Sequence, residues 1–299
     1  MSGLKKTTLS RLEALGHWFF YITLRLFGRR AASLLLWPVI GSYVICSRKI
    51  HRTVRPYLHR RFADASRKQR WLHTFRLVRS FGEVLVERGW LGLDEKATLE
   101  SDFIGRSRLF TLLEHGKGAI LLTAHVGNWQ SALAHLSSLP VKVHALMRYD
   151  RQAVAKHFFD LKAERKKSFE IINAEGDFGG MVEATAALQR GEIVTIMGDR
   201  YVGGSFSEVR FMGEMVRLPD SAYQLAAATG APVVILLAAR TGLTSFELQV
   251  WDDFFPECTS RDQRADMLAK CARRFAMGLE EYVDEHPYQW YNFYNFWKQ

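Results

Sequence analysis

The feature that most constrains the fold is a strand–turn–helix pattern near the middle of the chain. Residues Ala119–Thr123 form an apolar run whose length and side chains are typical of a strand buried on both faces. His125 follows, Gly127 and Asn128 supply turn chemistry, and apolar residues then recur at helical spacing, with Asn128 placed to cap the helix. An imidazole is therefore expected at the carboxyl end of a buried strand, where open α/β sheets bind their ligands.

Predicted strands and helices alternate from this point, and a last helix runs from about Ser260 to the residues before Pro287. Gly191 and Gly230 stand where helix C-caps belong. The predicted strands cover residues 119–124, 141–147, 169–173, 192–197, 231–240 and 245–252, and the predicted helices cover 129–138, 151–166, 178–190 and 219–229. This alternation predicts an α/β fold with a mainly parallel mixed sheet flanked by helices.

The net charge of +10 comes entirely from the first third of the chain. Residues 1–100 hold 19 Lys and Arg against 7 Asp and Glu, whereas the remaining residues hold 22 against 24. The same third contains the most apolar segments. From Arg55 to about Gly92 the pattern is that of an amphipathic helix, with one apolar stripe formed by Trp71, Phe75, Val78, Phe81 and Leu85. We therefore expect a basic, helical membrane-anchoring and connector region over residues 1–92 and an α/β domain over residues 93–299.

Two apolar runs near the N-terminus favour contact with a membrane. Trp18–Phe27 is interrupted only by Arg25, and the uncharged run Ala31–Ser47 has 17 residues, the lower limit for crossing a bilayer. The flanking basic residues are Arg29, Arg30, Arg48, Lys49, Arg52 and Arg55. This combination predicts an element inserted into the anionic cytoplasmic leaflet of the inner membrane. The alternative is a core helical hairpin in a basic soluble protein.

Several other functions are disfavoured by the sequence. The three cysteines are widely spaced and suggest neither a disulfide framework nor a zinc site. The excess positive charge lies beside the apolar segments and not on a face interleaved with exposed aromatic residues, so nucleic acid is not expected as a partner. The chain lacks the G-x-S-x-G elbow of serine hydrolases and the G-x-G-x-x-G turn of dinucleotide-binding folds.

Polar residues at other strand ends are expected to join His125 on one rim of the sheet. Arg148 follows the strand predicted at 141–147, and Asp199 and Arg200 follow the strand predicted at 192–197. The segment Gly203–Ser205 begins a loop long enough to fold over a ligand. An imidazole flanked by an acid and arginines can deprotonate a nucleophile and hold an anionic substrate.

Motifs along most of the chain resemble those of the bacterial lipid A biosynthesis (lauroyl/myristoyl) acyltransferase family, within the lysophospholipid acyltransferase superfamily. His125–Gln130 resembles the H-x-G-N-W-E block of that family, whose superfamily motif is His, four residues, then Asp or Glu. The further similar segments are Met147–Arg148 with Arg165, Met197–Arg200, Arg210–Gly213, Leu218–Pro219, Leu225–Val233 and His286–Trp290.

The resemblance implies a glycerolipid acyltransferase-like fold and transfer of a fatty acyl group to a hydroxyl, or less often an amine, of a membrane lipid. The donor would be a thioester of acyl carrier protein or coenzyme A, with neither a cofactor nor a metal. It implies His125 as the general base. The substrate-binding residues that it implies are Asn128, Trp129, Arg148, Arg165, Asp199 and Arg200.

One departure from the family pattern concerns the acid, because Gln130 occupies its position. A glutamine carbonyl can orient an imidazole but contributes no charge. Three interpretations follow. Gln130 is a working catalytic variant, or Asp199 or Glu175 supplies the charge from another loop, or the chain is a non-catalytic relative that binds a lipid or a carrier protein.

Overall fold

The structure is a computed structural model that describes residues 2–94, 97–129, 131–132, 136, 139–148, 169–175, 177–258 and 260–298, with side chains from residue 18 onward. The helix predicted at 151–166 and most of the helix predicted at 129–138 lie outside the described residues. The described strands are β1 (Glu100–Ile104), β2 (Ala119–Thr123), β3 (Val143–Met147), β4 (Glu170–Asn173), β5 (Ile193–Met197), β6 (Phe206–Phe211), β7 (Glu214–Pro219), β8 (Val233–Arg240) and β9 (Ser245–Phe254).

Within this described part of the chain, seven strands form one sheet in the order β1-β9-β8-β2-β5-β3-β4. Every neighbouring pair is parallel except β8 and β9, which are antiparallel, so the predicted mainly parallel mixed sheet is confirmed. The central strand β2 is buried along its whole length. Its side chains alternate between two apolar cores, with Ile120 and Leu122 on one face and Ala119 and Leu121 on the other.

Helices cover both faces of this sheet and form the N-terminal region. The described α-helices are α1 (Ser2–Cys46), α2 (Arg48–Arg61), α3 (Arg67–Leu93), α4 (Arg106–Glu114), α5 (Met181–Gln189), α6 (Ser221–Thr229) and α7 (Arg264–Glu285). The left-handed glycines predicted as caps are present, since Gly191 and Gly230 have φ angles of 77° and 70°.

The amphipathic segment predicted from residue 55 to 92 is two helices rather than one. Residues 62–66 separate α2 from α3, and Ser66 begins α3 with a capping box that includes Gln69. On the predicted apolar stripe, Phe75 and Val78 are buried, whereas Trp71 and Leu85 are exposed. The face of α3 that packs inward is therefore rotated from the predicted one, and it carries two buried carboxylates, those of Glu83 and Glu87.

Two strand regions were not predicted. The edge strand β1 lies just before α4, where no strand is predicted. The expected loop after β5 contains the antiparallel hairpin β6–β7, whose turn residues Met212 and Gly213 have φ angles of 48° and 82°. Pro219 therefore ends β7 instead of starting a helix, and α6 begins at Ser221.

The N-terminal helices pack onto the α/β part of the molecule. One face of α1 is buried through residues about four apart, namely Ala32, Leu36, Ile40 and Val44, and these belong to the same core cluster as one face of the sheet. Among the described residues, no single helix is long and apolar enough to cross a bilayer. The helix Trp18–Cys46 together with α2, which is inclined to it by 92°, meets the length and composition for crossing.

Candidate active site

His125 lies beyond the carboxyl end of β2, beside the end of the neighbouring parallel strand β5. The register pairs Thr123 with Met197, so the residues two positions further along each strand meet at the rim. There, His125 Nδ1 lies 2.8 Å from Asp199 Oδ1, and the backbone N–H of His125 donates to Asp199 Oδ2 at 3.0 Å. The fold thus joins a histidine and an aspartate that are 74 residues apart in the sequence.

Asp199 is buried, with its side chain 2% exposed, and both of its carboxylate oxygens accept hydrogen bonds. Trp290 Nε1 donates to Oδ2 at 3.0 Å, and Tyr294 Oη donates to the backbone carbonyl of Asp199 at 2.9 Å. Burial by itself raises the pKa of this carboxyl, but the positive charge and hydrogen bonds of His125 and the indole N–H outweigh it and lower the pKa to about 2. Asp199 is therefore ionised at neutral pH.

An ionised acceptor at Nδ1 determines the tautomer of His125. The Nδ1 atom must carry the hydrogen, which leaves the lone pair on Nε2. The His125 side chain is 22% exposed, so it is open to a ligand while its partner is closed off. This arrangement is chemically suited to taking a proton from a bound hydroxyl or amine.

The turn after His125 is held between β8 and the C-terminal segment. Gly127 has a φ of +48°, and a Cβ atom there would lie 2.1 Å from the carbonyl oxygen of Ala238. Its N–H donates to the Gln289 carbonyl at 2.8 Å, and the N–H of Tyr291 donates to the His125 carbonyl at 2.9 Å. Only glycine fits this close approach of two backbones.

Asn128 and Trp129 occupy different surroundings. Asn128 is 1% exposed, and its Oδ1 accepts from the N–H of Ser131 at 3.3 Å, as expected of a cap. The Trp129 ring lies 6.4 Å from the His125 ring and lines a small apolar cavity on one face of the sheet. The remaining lining residues are Leu121, Thr123, Ala132, Leu136, Thr195, Leu236, Ala238 and Leu248.

Two of the three predicted arginines, Arg148 and Arg200, are among the described residues, and both lie exposed at the rim. Arg148 is 72% exposed and its Nε lies 3.3 Å from Glu175 Oε1. Arg200 is exposed, with its guanidinium 5.5 Å from the centre of the Tyr294 ring. Of the two carboxylates considered as substitutes for the missing acid, Asp199 contacts His125, whereas Glu175 is paired with Arg148.

Two predicted site residues, Gln130 and Arg165, lie outside the described residues, so their roles stay predictions. Among the residues described, no three or more His, Cys, Asp or Glu side chains are grouped to hold a metal ion. Trp290 was noted in the sequence only as part of a terminal motif, and Glu87, which contacts Asn128, was not singled out at all. The sequence around Trp290 carries no signal of the partner of its indole, because Asp199 lies 91 residues earlier in the chain, just beyond the end of β5.

The fold and the site define a class of protein. It is an α/β protein with a His–Asp pair at the carboxyl ends of two adjacent parallel strands and a tight Gly–Asn turn after the histidine. The sequence matches the family model described as bacterial lipid A biosynthesis acyltransferase over residues 5–299, so the chain belongs to this family.

Curated relatives are also found. The chain is similar to the phosphatidylinositol mannoside acyltransferases of two Mycobacterium tuberculosis strains, ATCC 25618 / H37Rv and CDC 1551 / Oshkosh, with 28% identity over 193 residues in each case. The matched segment covers 62% of this chain and 57% of each relative, so the chain spans little more than half the length of these relatives.

Proposed function

We propose that the protein transfers a fatty acyl group from an acyl carrier protein or coenzyme A thioester to a hydroxyl, or an amine, of a membrane lipid. Membership of a lipid acyltransferase family supports the reaction class. The observation that carries the catalytic part is the pair formed by His125 Nδ1 and the buried carboxylate of Asp199 at 2.8 Å. No metal or cofactor takes part in the proposed reaction.

In the proposed mechanism, His125 acts through Nε2 as the general base. It takes the proton of the acceptor hydroxyl as that oxygen attacks the thioester carbonyl carbon. The tetrahedral intermediate then collapses, the carbon–sulfur bond breaks, and the departing thiolate takes the proton back from the imidazolium. The products are the acylated lipid and the free thiol, and Asp199 stabilises the imidazolium between the two proton transfers.

Other residues are assigned by position. Arg148 and Arg200 lie exposed on the rim, where they suit the phosphates of the acceptor or of the donor's phosphopantetheine arm. Arg165 keeps its predicted role in phosphate binding. The local interactions of Asp199 support it as the source of the charge that Gln130 lacks.

This assignment is tested by incubating the purified full chain with an acyl carrier protein thioester and a bacterial lipid extract. Mass spectrometry should show a lipid that gains one acyl mass only when the thioester is present. A coenzyme A thioester in a parallel reaction separates the two donors. Absence of any donor-dependent product with either thioester would favour the alternative, a lipid- or carrier-protein-binding relative without transferase activity.

We further propose that α1 attaches the protein to the cytoplasmic face of the inner membrane. Exposed apolar side chains lie on both sides of a break in α1 at Gly28, whose φ is +74°. They are Leu26, Phe27, Leu34 and Ile45, each at least 68% exposed. Exposed arginines and a lysine lie along or just after the same helix, namely Arg25, Arg30, Arg48 and Lys49. Exposed apolar side chains beside basic residues suit an anionic bilayer.

Replacing Leu34 and Ile45 by aspartate is expected to weaken binding to vesicles of phosphatidylethanolamine and phosphatidylglycerol. Burying one such side chain contributes about 1.5–3 kcal/mol, so the double variant should bind at least about tenfold more weakly in a sedimentation assay. Met277→Asp is the matched control, since Met277 is 62% exposed but lies on α7. Equal binding of the wild type and the α1 variant would show that the membrane contact lies elsewhere.

A further inference from the structure

A buried carboxylate behind the active-site turn joins the N-terminal helices to the residues that follow His125. Glu87 of α3 is 2% exposed. Its Oε1 accepts from Arg29 Nη2 and from Arg240 Nε, each at 2.6 Å, and its Oε2 accepts from Asn128 Nδ2 at 2.9 Å. One carboxylate therefore connects α1, α3, the end of β8 and the turn that carries the proposed base.

The contact with Glu87 fixes the orientation of the Asn128 amide. An ionised carboxylate only accepts hydrogen bonds, so the amide nitrogen must face Glu87. This leaves Asn128 Oδ1 to accept from the N–H of Ser131 at 3.3 Å. The same side chain thus caps the helix after the turn and anchors the turn to α3.

Arg240 supports the turn from its other side. Its backbone N–H donates to Gln289 Oε1 at 2.8 Å, and its carbonyl accepts from Gln289 Nε2 at 2.9 Å. The backbone carbonyl of Gln289 in turn accepts from the N–H of Gly127. Glu87 therefore supports the turn in two ways. It binds the Asn128 side chain directly, and it binds the guanidinium of Arg240, whose backbone holds Gln289 against Gly127.

We propose that Glu87 is a positioning residue for acyl transfer, which holds the His125–Asn128 turn in place and ties it to α1 through Arg29. The effect on rate rests on the proposed function, whereas the effect on the turn does not. A glutamine at position 87 cannot replace the carboxylate. Its single carbonyl can face either the two guanidinium groups or Asn128, and in both cases an N–H is directed at another donor.

The central test is a charge-conserving exchange of the two groups. In Glu87→Gln, we expect kcat to fall about 100-fold, the effect of displacing a catalytic group by about 1 Å, with KM changed less than about threefold. Adding Asn128→Asp should raise kcat at least about tenfold above that of Glu87→Gln. In the double variant, the residue 87 carbonyl faces both guanidinium groups, its amide donates to the new carboxylate, and that carboxylate still caps the helix at Ser131.

The matched control is Glu83→Gln. Glu83 lies one turn earlier on α3, is 4% exposed and accepts from Ser33 Oγ at 2.7 Å and from Arg79 Nη2 at 3.3 Å. Like Glu87, Glu83 joins α3 to α1 by a buried hydrogen bond, but it has no described contact to Asn128. Glu83→Gln is therefore expected to lower the stability of the fold while leaving kcat within about twofold of the wild type.

Hydrogen–deuterium exchange of peptides spanning residues 124–132 tests the inference independently of activity. We expect Glu87→Gln to accelerate exchange there at least about tenfold relative to peptides from β8, the double variant to reverse this, and Glu83→Gln to leave it unchanged. Unchanged exchange in Glu87→Gln, or no recovery in the double variant, would overturn the inference. Absence of product from the wild type would overturn the proposed function instead, and the exchange comparison would still decide the role of Glu87.

Discussion

Asp199→Asn is expected to lower kcat about 10⁴-fold, as loss of the equivalent charge does in a serine-protease triad, while changing KM less than about threefold. The carboxylate accepts from the ring and the backbone N–H of His125 and from the indole of Trp290. An asparagine would keep its oxygen for two of these donors and direct its NH₂ group at Nδ1. That contact favours the tautomer with hydrogen on Nε2, which cannot act as a base.

The control for this change is Asp220→Asn. Asp220 is also 2% exposed, but it accepts from the hydroxyl groups of Ser205 and Ser207, which can rotate to suit an amide. We expect Asp220→Asn to keep kcat within about threefold of the wild type. Steady-state rates with the acyl thioester measure both variants. An Asp199→Asn protein as active as the wild type would show that the His–Asp pair takes no part in the mechanism. If Gln130→Leu lowered kcat more than Asp199→Asn, Gln130 rather than Asp199 would be the residue that orients His125.

Gly127→Ala is expected to destabilise the folded protein by about 4 kcal/mol. Left-handed backbone in a non-glycine residue costs about 1–2 kcal/mol, and forcing a methyl group into a packed site costs about 1–3 kcal/mol more. The steric part arises because the new Cβ would lie 2.1 Å from the Ala238 carbonyl oxygen. That oxygen also accepts from Tyr282 Oη, so the strand cannot yield without losing a buried hydrogen bond.

Gly116→Ala separates the two contributions to this loss. Gly116 has a φ of +72°, and a Cβ there would meet nothing within 4 Å. Its substitution is expected to cost only the backbone strain, about 1–2 kcal/mol. Urea unfolding followed by circular dichroism compares the two variants. Equal losses in Gly127→Ala and Gly116→Ala would show that the close approach of β8 to the turn does not constrain the site.

The central part of the fold could be predicted because its signals are local. The run Ala119–Thr123 is apolar throughout, and its burial on both faces follows from its position at the centre of the sheet. The edge strand β1 lacks such a signal, since four of its five residues are exposed. The hairpin turn was missed because Met212 is unusual at a position with positive φ, and its left-handed conformation is set by the pairing of β6 with β7.

The residues of the site could be predicted from the sequence, but the contacts between residues far apart in the chain could not. The strand-end rule places His125 and Asp199 on one rim, but only the β2–β5 register brings them to 2.8 Å. The burial of Glu87 could not be foreseen from its helix. The residues that compensate its charge, Arg29 and Arg240, lie 58 positions earlier and 153 positions later in the chain.

The proposed role of His125 is tested most directly by acyl transfer in the wild type and in His125→Ala. Both proteins are purified at equal amounts, their folding is compared by circular dichroism, and each is incubated with the acyl thioester and the lipid extract. Mass spectrometry should detect acylated lipid with the wild type and, with His125→Ala, a rate lower by at least about 10³-fold, within the range for loss of a general base. Equal, donor-dependent product from the two folded proteins would contradict the assignment of His125 as the base.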